Sequence, residues 1–206
     1  EEYASVSMEL KTKSQIFSAM VVYGFLTYDD GKLYIPNKEL MDQFVKMLQE
    51  EESLGYVYKL AKASDKMLSA TLHGDTATMV DILSYAHNTE VPLLSYNHEV
   101  ELTAIVNLVY LSARDRYFVE RENKAGTGFV DFIFYPYKKG DDCIILELKI
   151  NHSPEEALQQ IKEKNYALRF KGNLGEDAPY TGRILAVGIG YSKKSKKHSC
   201  IVEQLE

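Results

Sequence analysis

Three charged residues stand where the chain otherwise reads as buried. In the stretch VDFIFYPYKKGDDCIILELKI, residues 130–150, Asp131 heads one apolar run, and Glu147 and Lys149 lie inside the next. A charge placed among apolar residues is costly unless it is paired, hydrogen-bonded or metal-bound. Side chains alternate across a strand, so Cys143, Ile145, Glu147 and Lys149 share one face, and Ile144, Leu146, Leu148 and Ile150 the other. A hairpin joining the two runs brings Asp131 to Glu147 if the register allows. Two converging carboxylates suit Mg²⁺ or Mn²⁺, with water and a substrate phosphate completing the shell. An ammonium beside them can orient the attacking water or stabilise charge in the transition state. Glycoside hydrolysis also uses two carboxylates, but it gives Lys149 no role.

Such a trio needs a sheet to hold it. The spacing predicts a helix from about residue 98 to Arg114, with Asn97 as its cap. Strands are expected over roughly 117–122, 128–135 and 143–150. Ser153 then caps a helix whose first position is Pro154, and which is expected to run to Lys171-Gly172. Two last strands, GRILAVGIGY and HSCIVEQL, are joined by SKKSKK. The order is α-β-β-β-α-β-β. Residues 1–95 read instead as a mainly helical segment. Asn37 caps one helix there, Asp30-Gly31 turns a short hairpin, and LGYVYKLAKASDKMLSAT and DTATMVDILSYAHN follow as amphipathic helices.

The arrangement resembles the PD-(D/E)XK nuclease superfamily. Asp131 is followed by Glu147-Leu148-Lys149 on strands with helices before and after. The phrases ERENKAGTGFVDFIFYP, CIILELKI, SPEEALQQIKEKNYALRF and TGRILAVGIGY are similar to a subgroup that forms the C-terminal domain of bacterial AAA-ATPase-like proteins. The likeness covers about residues 95–204. IFSAMVVYGFLTYDDGKLYIPNKEL is similar to the segment that joins the ATPase to the nuclease-like domain in that subgroup. The resemblance implies a restriction-endonuclease-like αβββαβ core, an α/β (α+β) fold with a mixed sheet, in residues 96–206. It also implies divalent-metal hydrolysis of phosphodiesters, DNA being the expected substrate, and an ATPase domain as partner. Asp131 and Glu147 carry over as metal ligands, with the Leu148 carbonyl as a third, and Lys149 as the catalytic lysine. Glu99 corresponds to an additional acidic residue beside the metal, and Gln160 to a glutamine that lines the site. The signature's proline is replaced by Val130.

Several features have plainer readings. An E-x-K on a strand is by itself most often a surface ion pair; the apolar flanks and Asp131 favour the metal. Glu101 competes with Glu99, and Gln159 with Gln160. The glycines of AGTGF precede a strand rather than a helix, which disfavours a phosphate-binding loop. GIG at 188–190 reads as close packing within a strand. KKSKK at 193–197 reads as a solvated hairpin tip, with phosphate-backbone contact as the alternative. The rivals to a nuclease are a fold that binds nucleic acid without cutting and an interaction module of an ATPase-like protein whose charged trio is a structural ion network.

The bulk composition is compatible with these readings. The net charge of −6 is uneven: residues 1–96 carry 8 Lys+Arg against 14 Asp+Glu, and residues 97–206 carry 16 against 16. The second half holds the candidate ligands and is still neutral, so its remaining surface is mildly basic and admits a phosphate-backbone partner. Two cysteines do not make a disulfide framework and fit a reducing cytoplasm. The histidines and cysteines lack zinc spacing. No signal-peptide pattern or membrane-length apolar run is seen. Glu1 in place of methionine reads as the start of a piece of a longer protein.

Overall fold

The computed structural model describes residues 10–88, 99–121, 130–164 and 182–205. The chain divides into two compact units, Glu1–Glu51 and Glu52–Glu206.

Within the first unit, helix α1 (Lys13–Val22) begins with a reciprocal cap between Thr12 and Gln15. The hairpin of β1 (Thr27–Asp29) and β2 (Lys32–Tyr34) turns where expected. Both of its turn residues take positive φ, 42° at Asp30 and 78° at Gly31, a combination that suits Asp-Gly. Helix α2 (Lys38–Glu50) is capped by Asn37, whose Oδ1 accepts from the Leu40 N–H at 2.9 Å.

The second unit contains a five-stranded mixed sheet in the order β3-β4-β5-β6-β7, flanked by helices. This is the restriction-endonuclease-like architecture expected from the sequence. The strands are β3 (Tyr117–Arg121), β4 (Phe132–Pro136), β5 (Cys143–Ile150), β6 (Ile184–Ser192) and β7 (Lys197–Leu205). Only β5 and β6 run parallel. Their crossover contains α7 (Pro154–Glu163), which packs on one face of both strands. Ile145 meets Leu158 and Ile161 on that face. The other face is covered by α4 (Ser64–His73), α5 (Thr76–Asn88) and α6 (Glu99–Val109), in a core that joins Phe132, Phe134, Ile144, Leu146 and Leu148 to Leu102, Ile105 and Met79. β5 is therefore apolar on both faces because helices cover both, as buried parallel strands require.

Three elements depart from expectation. The single helix expected over LGYVYKLAKASDKMLSAT is two, α3 (Tyr56–Lys62) and α4, broken at Ala63. The break lets Leu60 and Ala61 enter the core from one direction and Met67 and Leu68 from another. It also places buried Ser64 to accept the Ser112 N–H at 3.3 Å. The helix expected to reach Arg114 stops at Val109 and tightens into a 3₁₀ segment, Leu111–Asp115, which buries Leu111 and Ala113. Asp131 lies in a bend just before β4 rather than within it. Asn97 and residues 165–181, where the α7 helix was expected to continue, lie outside the described residues.

The sheet end remote from Asp131 is fastened by Arg183 and Asp142. The guanidinium donates from Nε at 3.1 Å and from a terminal nitrogen at 2.6 Å, and the Arg183 backbone N–H adds a third bond at 3.1 Å. These donors hold the Asp142 carboxyl below the usual carboxylate range. A lowered folded-state pKa gives stability that is present above the unfolded value and lost as pH falls through the folded one. Asp142→Asn should cost about 1 kcal/mol at pH 7, the scale of a partly exposed charge-assisted pair. That difference should shrink below the ordinary carboxylate range. Urea titrations at pH 7 and pH 3 read it; an equal difference at both would refute the ionic origin.

Candidate active site

The register of the sheet assembles the site. β4 and β5 pair with Phe132 opposite Leu146 and Ile133 opposite Ile145, so one further step places Asp131 opposite Glu147. Asp131 Oδ2 accepts the Leu148 N–H at 2.7 Å, which ties the bend before β4 to the end of β5. Across the parallel pair, Glu147 faces Gly188 and Lys149 faces Gly190. Neither glycine leaves room for a side chain. A Cβ at Gly188 would lie 2.2 Å from the Pro154 carbonyl oxygen, and one at Gly190 would lie 3.0 Å from that of His152. The close packing read from GIG is thus present, and it brings the start of α7 down onto β6 beside the carboxylate.

The start of α7 is fixed locally. Ser153 Oγ accepts from the Glu156 N–H at 3.3 Å, and Glu156 Oε1 accepts from the Ser153 N–H at 3.1 Å. Two turns on, Gln160 Nε2 donates to Glu147 Oε1. The adjacent Gln159 bonds Glu163 at 2.9 Å and is exposed, so of the two glutamines only Gln160 reaches the site. Lys149 Nζ donates to the same Glu147 Oε1 at 2.7 Å.

Glu147 is the residue under strain of desolvation. Its side chain is 4% exposed, and burial pushes its carboxyl above the ordinary range against the pull of the Lys149 ammonium. Its second oxygen, Oε2, is buried and has no hydrogen-bond partner among the described residues. An anionic oxygen left without a donor in such a place is suited to a cation. Hence the donor set fits a divalent ion: Glu147 Oε2, the Asp131 carboxylate held opposite it, and the Leu148 carbonyl between Glu147 and Lys149. No cluster of three His, Cys, Asp or Glu residues occurs among the described residues; water and substrate oxygens are suited to the remaining positions of such a shell.

Residues 101–199 match the model of the PD-(D/E)XK nuclease superfamily. The PD-(D/E)XK match spans β3 to β6 and most of α6, the elements that carry Asp131, Glu147, Lys149 and Gln160. No curated protein matches the chain. Within the PD-(D/E)XK frame, helix α6 starts at Glu99, but the side chains of Glu99 and Glu101 lie outside the described residues. One neighbour was missed from the sequence. Lys164 lies one turn beyond Gln160 and close enough to Glu147 to favour its charged form. The i, i+4 spacing from Gln160 was the available signal.

Proposed function

We propose that the chain is a divalent-metal-dependent nuclease, with DNA as substrate and Mg²⁺ or Mn²⁺ as the ion, its chemistry carried by residues 96–206. The observation that carries this reading is the buried Glu147 Oε2, without a hydrogen-bond partner among the described residues, beside Asp131 and Lys149. The PD-(D/E)XK match supports phosphodiesters as the substrate class. Asp131, Glu147 and the Leu148 carbonyl would hold the ion, which supplies positive charge to phosphoryl oxygens and lowers the pKa of water. Lys149 pulls the Glu147 carboxyl toward its charged form against the effect of burial and can turn its ammonium toward a phosphate oxygen or the attacking water. Gln160 fixes the rotamer of Glu147, so that Oε1 is occupied and Oε2 faces the ion. Glu99 is assigned as a further acidic ligand from its place at the start of α6.

We also assign an ATPase domain as the partner of the N-terminal segment, and a cytoplasmic location. The support is the likeness of residues 16–40 to a joining segment. The same region exposes Val22, Tyr23, Phe25, Tyr28 and Tyr34, apolar surface suited to burial against another domain. No helix among the described residues is long and apolar enough to cross a membrane.

Mn²⁺ titration by calorimetry tests the metal reading. The wild-type protein should bind the ion, and its melting temperature should rise with Mn²⁺ concentration; at one hundred times the dissociation constant the gain is about 2.7 kcal/mol. Asp131→Ala should lose both effects. Wild-type protein that shows no heat and no shift, with or without a short duplex, would leave a non-cutting module as the reading.

A further inference from the structure

The parallel pairing of β5 and β6 has a second consequence. It carries the turn between β6 and β7 to the same end of the sheet as Asp131, Glu147 and Lys149. β6 leaves the level of Glu147 at Gly188 and ends at Ser192, four residues later and about 13 Å along the strand. There the chain turns through Lys193-Lys194-Ser195-Lys196 and returns with Lys197 opposite Ser192. All four lysines are exposed. No ion pair among the described residues holds Lys194, Lys196 or Lys197.

The turn is also anchored to the site strand. Asn151, one residue beyond the end of β5, takes a left-handed φ of 60°. Its N–H donates to the Tyr191 carbonyl at 2.7 Å, and its Oδ1 accepts the Lys193 N–H at 3.0 Å. Ser192 Oγ accepts the Ser195 N–H at 3.3 Å. Solvation alone explains a lysine-rich tip, but it does not require a tip clamped two residues from Lys149. Besides Asp131 and Glu147, acidic side chains near this end include Glu155 and Glu156 in the first turn of α7, where Glu156 is engaged by Ser153 and His152.

We propose that the Ser192–Lys197 turn is a docking prong for the phosphate backbone of the nucleic acid substrate. The proposal rests on the nuclease reading and extends it from the cut to the flanking strand. DNA advances about 3.4 Å per base pair, so for a duplex lying along β6 a 13 Å offset corresponds to about four base pairs from the scissile phosphate. Phosphate contacts of this kind set position and affinity without reading sequence.

The test is anisotropy with a fluorescent 20-mer duplex in EDTA, over a range of salt concentrations, followed by steady-state cleavage with Mg²⁺. The variant is Lys194→Gln/Lys196→Asn/Lys197→Gln, asparagine being chosen because Lys196 has φ 55°. Each phosphate contact adds about 0.9 to the salt slope, so the triple variant should lose about 2 to 3. Its Kd should weaken at least about tenfold and KM should rise, with kcat within twofold of wild type. The corresponding triple arginine variant should behave as wild type. If the wild type cuts and the glutamine variant keeps its slope and KM, the prong is refuted and the nuclease reading survives. Lysine-dependent binding by a wild type that never cuts would uphold the prong and overturn the nuclease. A wild type that neither binds nor cuts refutes both. Lysine-dependent binding to phosphatidylserine vesicles, with duplex binding unaffected by the substitutions, would refute the prong in favour of a membrane surface.

Discussion

Glu147→Ala should lower phosphodiester cleavage by about 10³-fold or more, the scale on which loss of a group that holds transition-state charge is felt. The substitution removes a buried carboxylate oxygen that has no hydrogen-bond partner among the described residues, along with the acceptor of both Lys149 and Gln160. Metal affinity and catalytic geometry therefore fail together. The fold should survive. A desolvated carboxylate adds little net stability, and Lys149, 22% exposed, can extend its ammonium to solvent once its partner is gone. Single-turnover cleavage in Mg²⁺ and in Mn²⁺ reads the chemistry, and a thermal melt without metal reads the fold. A rate within a few-fold of wild type would remove Glu147 from the site. A collapsed melt would reassign it to structure. Glu147→Gln keeps the shape and an acceptor for Lys149, so its rate should also fall if negative charge is what matters.

The second large effect is structural and lies across the strand pair. Gly188→Ala should destabilise the protein by about 3 kcal/mol, at the upper end for overpacking a core. The new methyl would meet the Pro154 carbonyl oxygen at 2.2 Å and Ile201 Cγ2 at 3.0 Å. The first of these is backbone at the start of a capped helix, so it cannot swing aside as a long side chain would. The helix start has to move, and Gln160 moves with it. Cleavage should then fall even where the variant is still folded. Gly190→Ala is a graded control: its nearest obstacle is Ser199 Oγ at 2.8 Å, the end of a small side chain, with the His152 carbonyl next at 3.0 Å. Urea titrations should rank wild type above Gly190→Ala, and Gly190→Ala above Gly188→Ala. A loss below about 0.5 kcal/mol at Gly188 would mean that the helix sits less tightly than described.

Much of this architecture can be read from short-range patterns. Asn37, the Asp30-Gly31 turn and the Ser153/Glu156 box are legible because each uses atoms within about four residues. The double-sided apolar run Cys143–Ile150 declares a strand covered on both faces, and the charges at Glu147 and Lys149 are conspicuous because they break it. The order α-β-β-β-α-β-β follows from these elements in turn, and with it the expectation of a restriction-endonuclease-like sheet.

Other features belong to the folded chain alone. Helical spacing leaves Gln159 and Gln160 nearly equivalent, and only the seating of α7 on Gly188 and Gly190 directs Gln160 to Glu147 and leaves Gln159 to Glu163. Periodicity runs through LGYVYKLAKASDKMLSAT without interruption, because the break at Ala63 serves contacts made far along the chain at Ser112. The opposition of Asp131 to Glu147 depends on register, which no pattern within either strand sets by itself. Likewise, KKSKK is only a charged turn in sequence; the parallel pairing of β5 with β6 decides which end of the sheet it occupies. By itself the sequence determined most of the elements, their order and the residue types of the candidate site, because caps, turns and alternation are local interactions. The tertiary structure decided which of those residues meet, because register and helix seating depend on packing between segments distant in the chain.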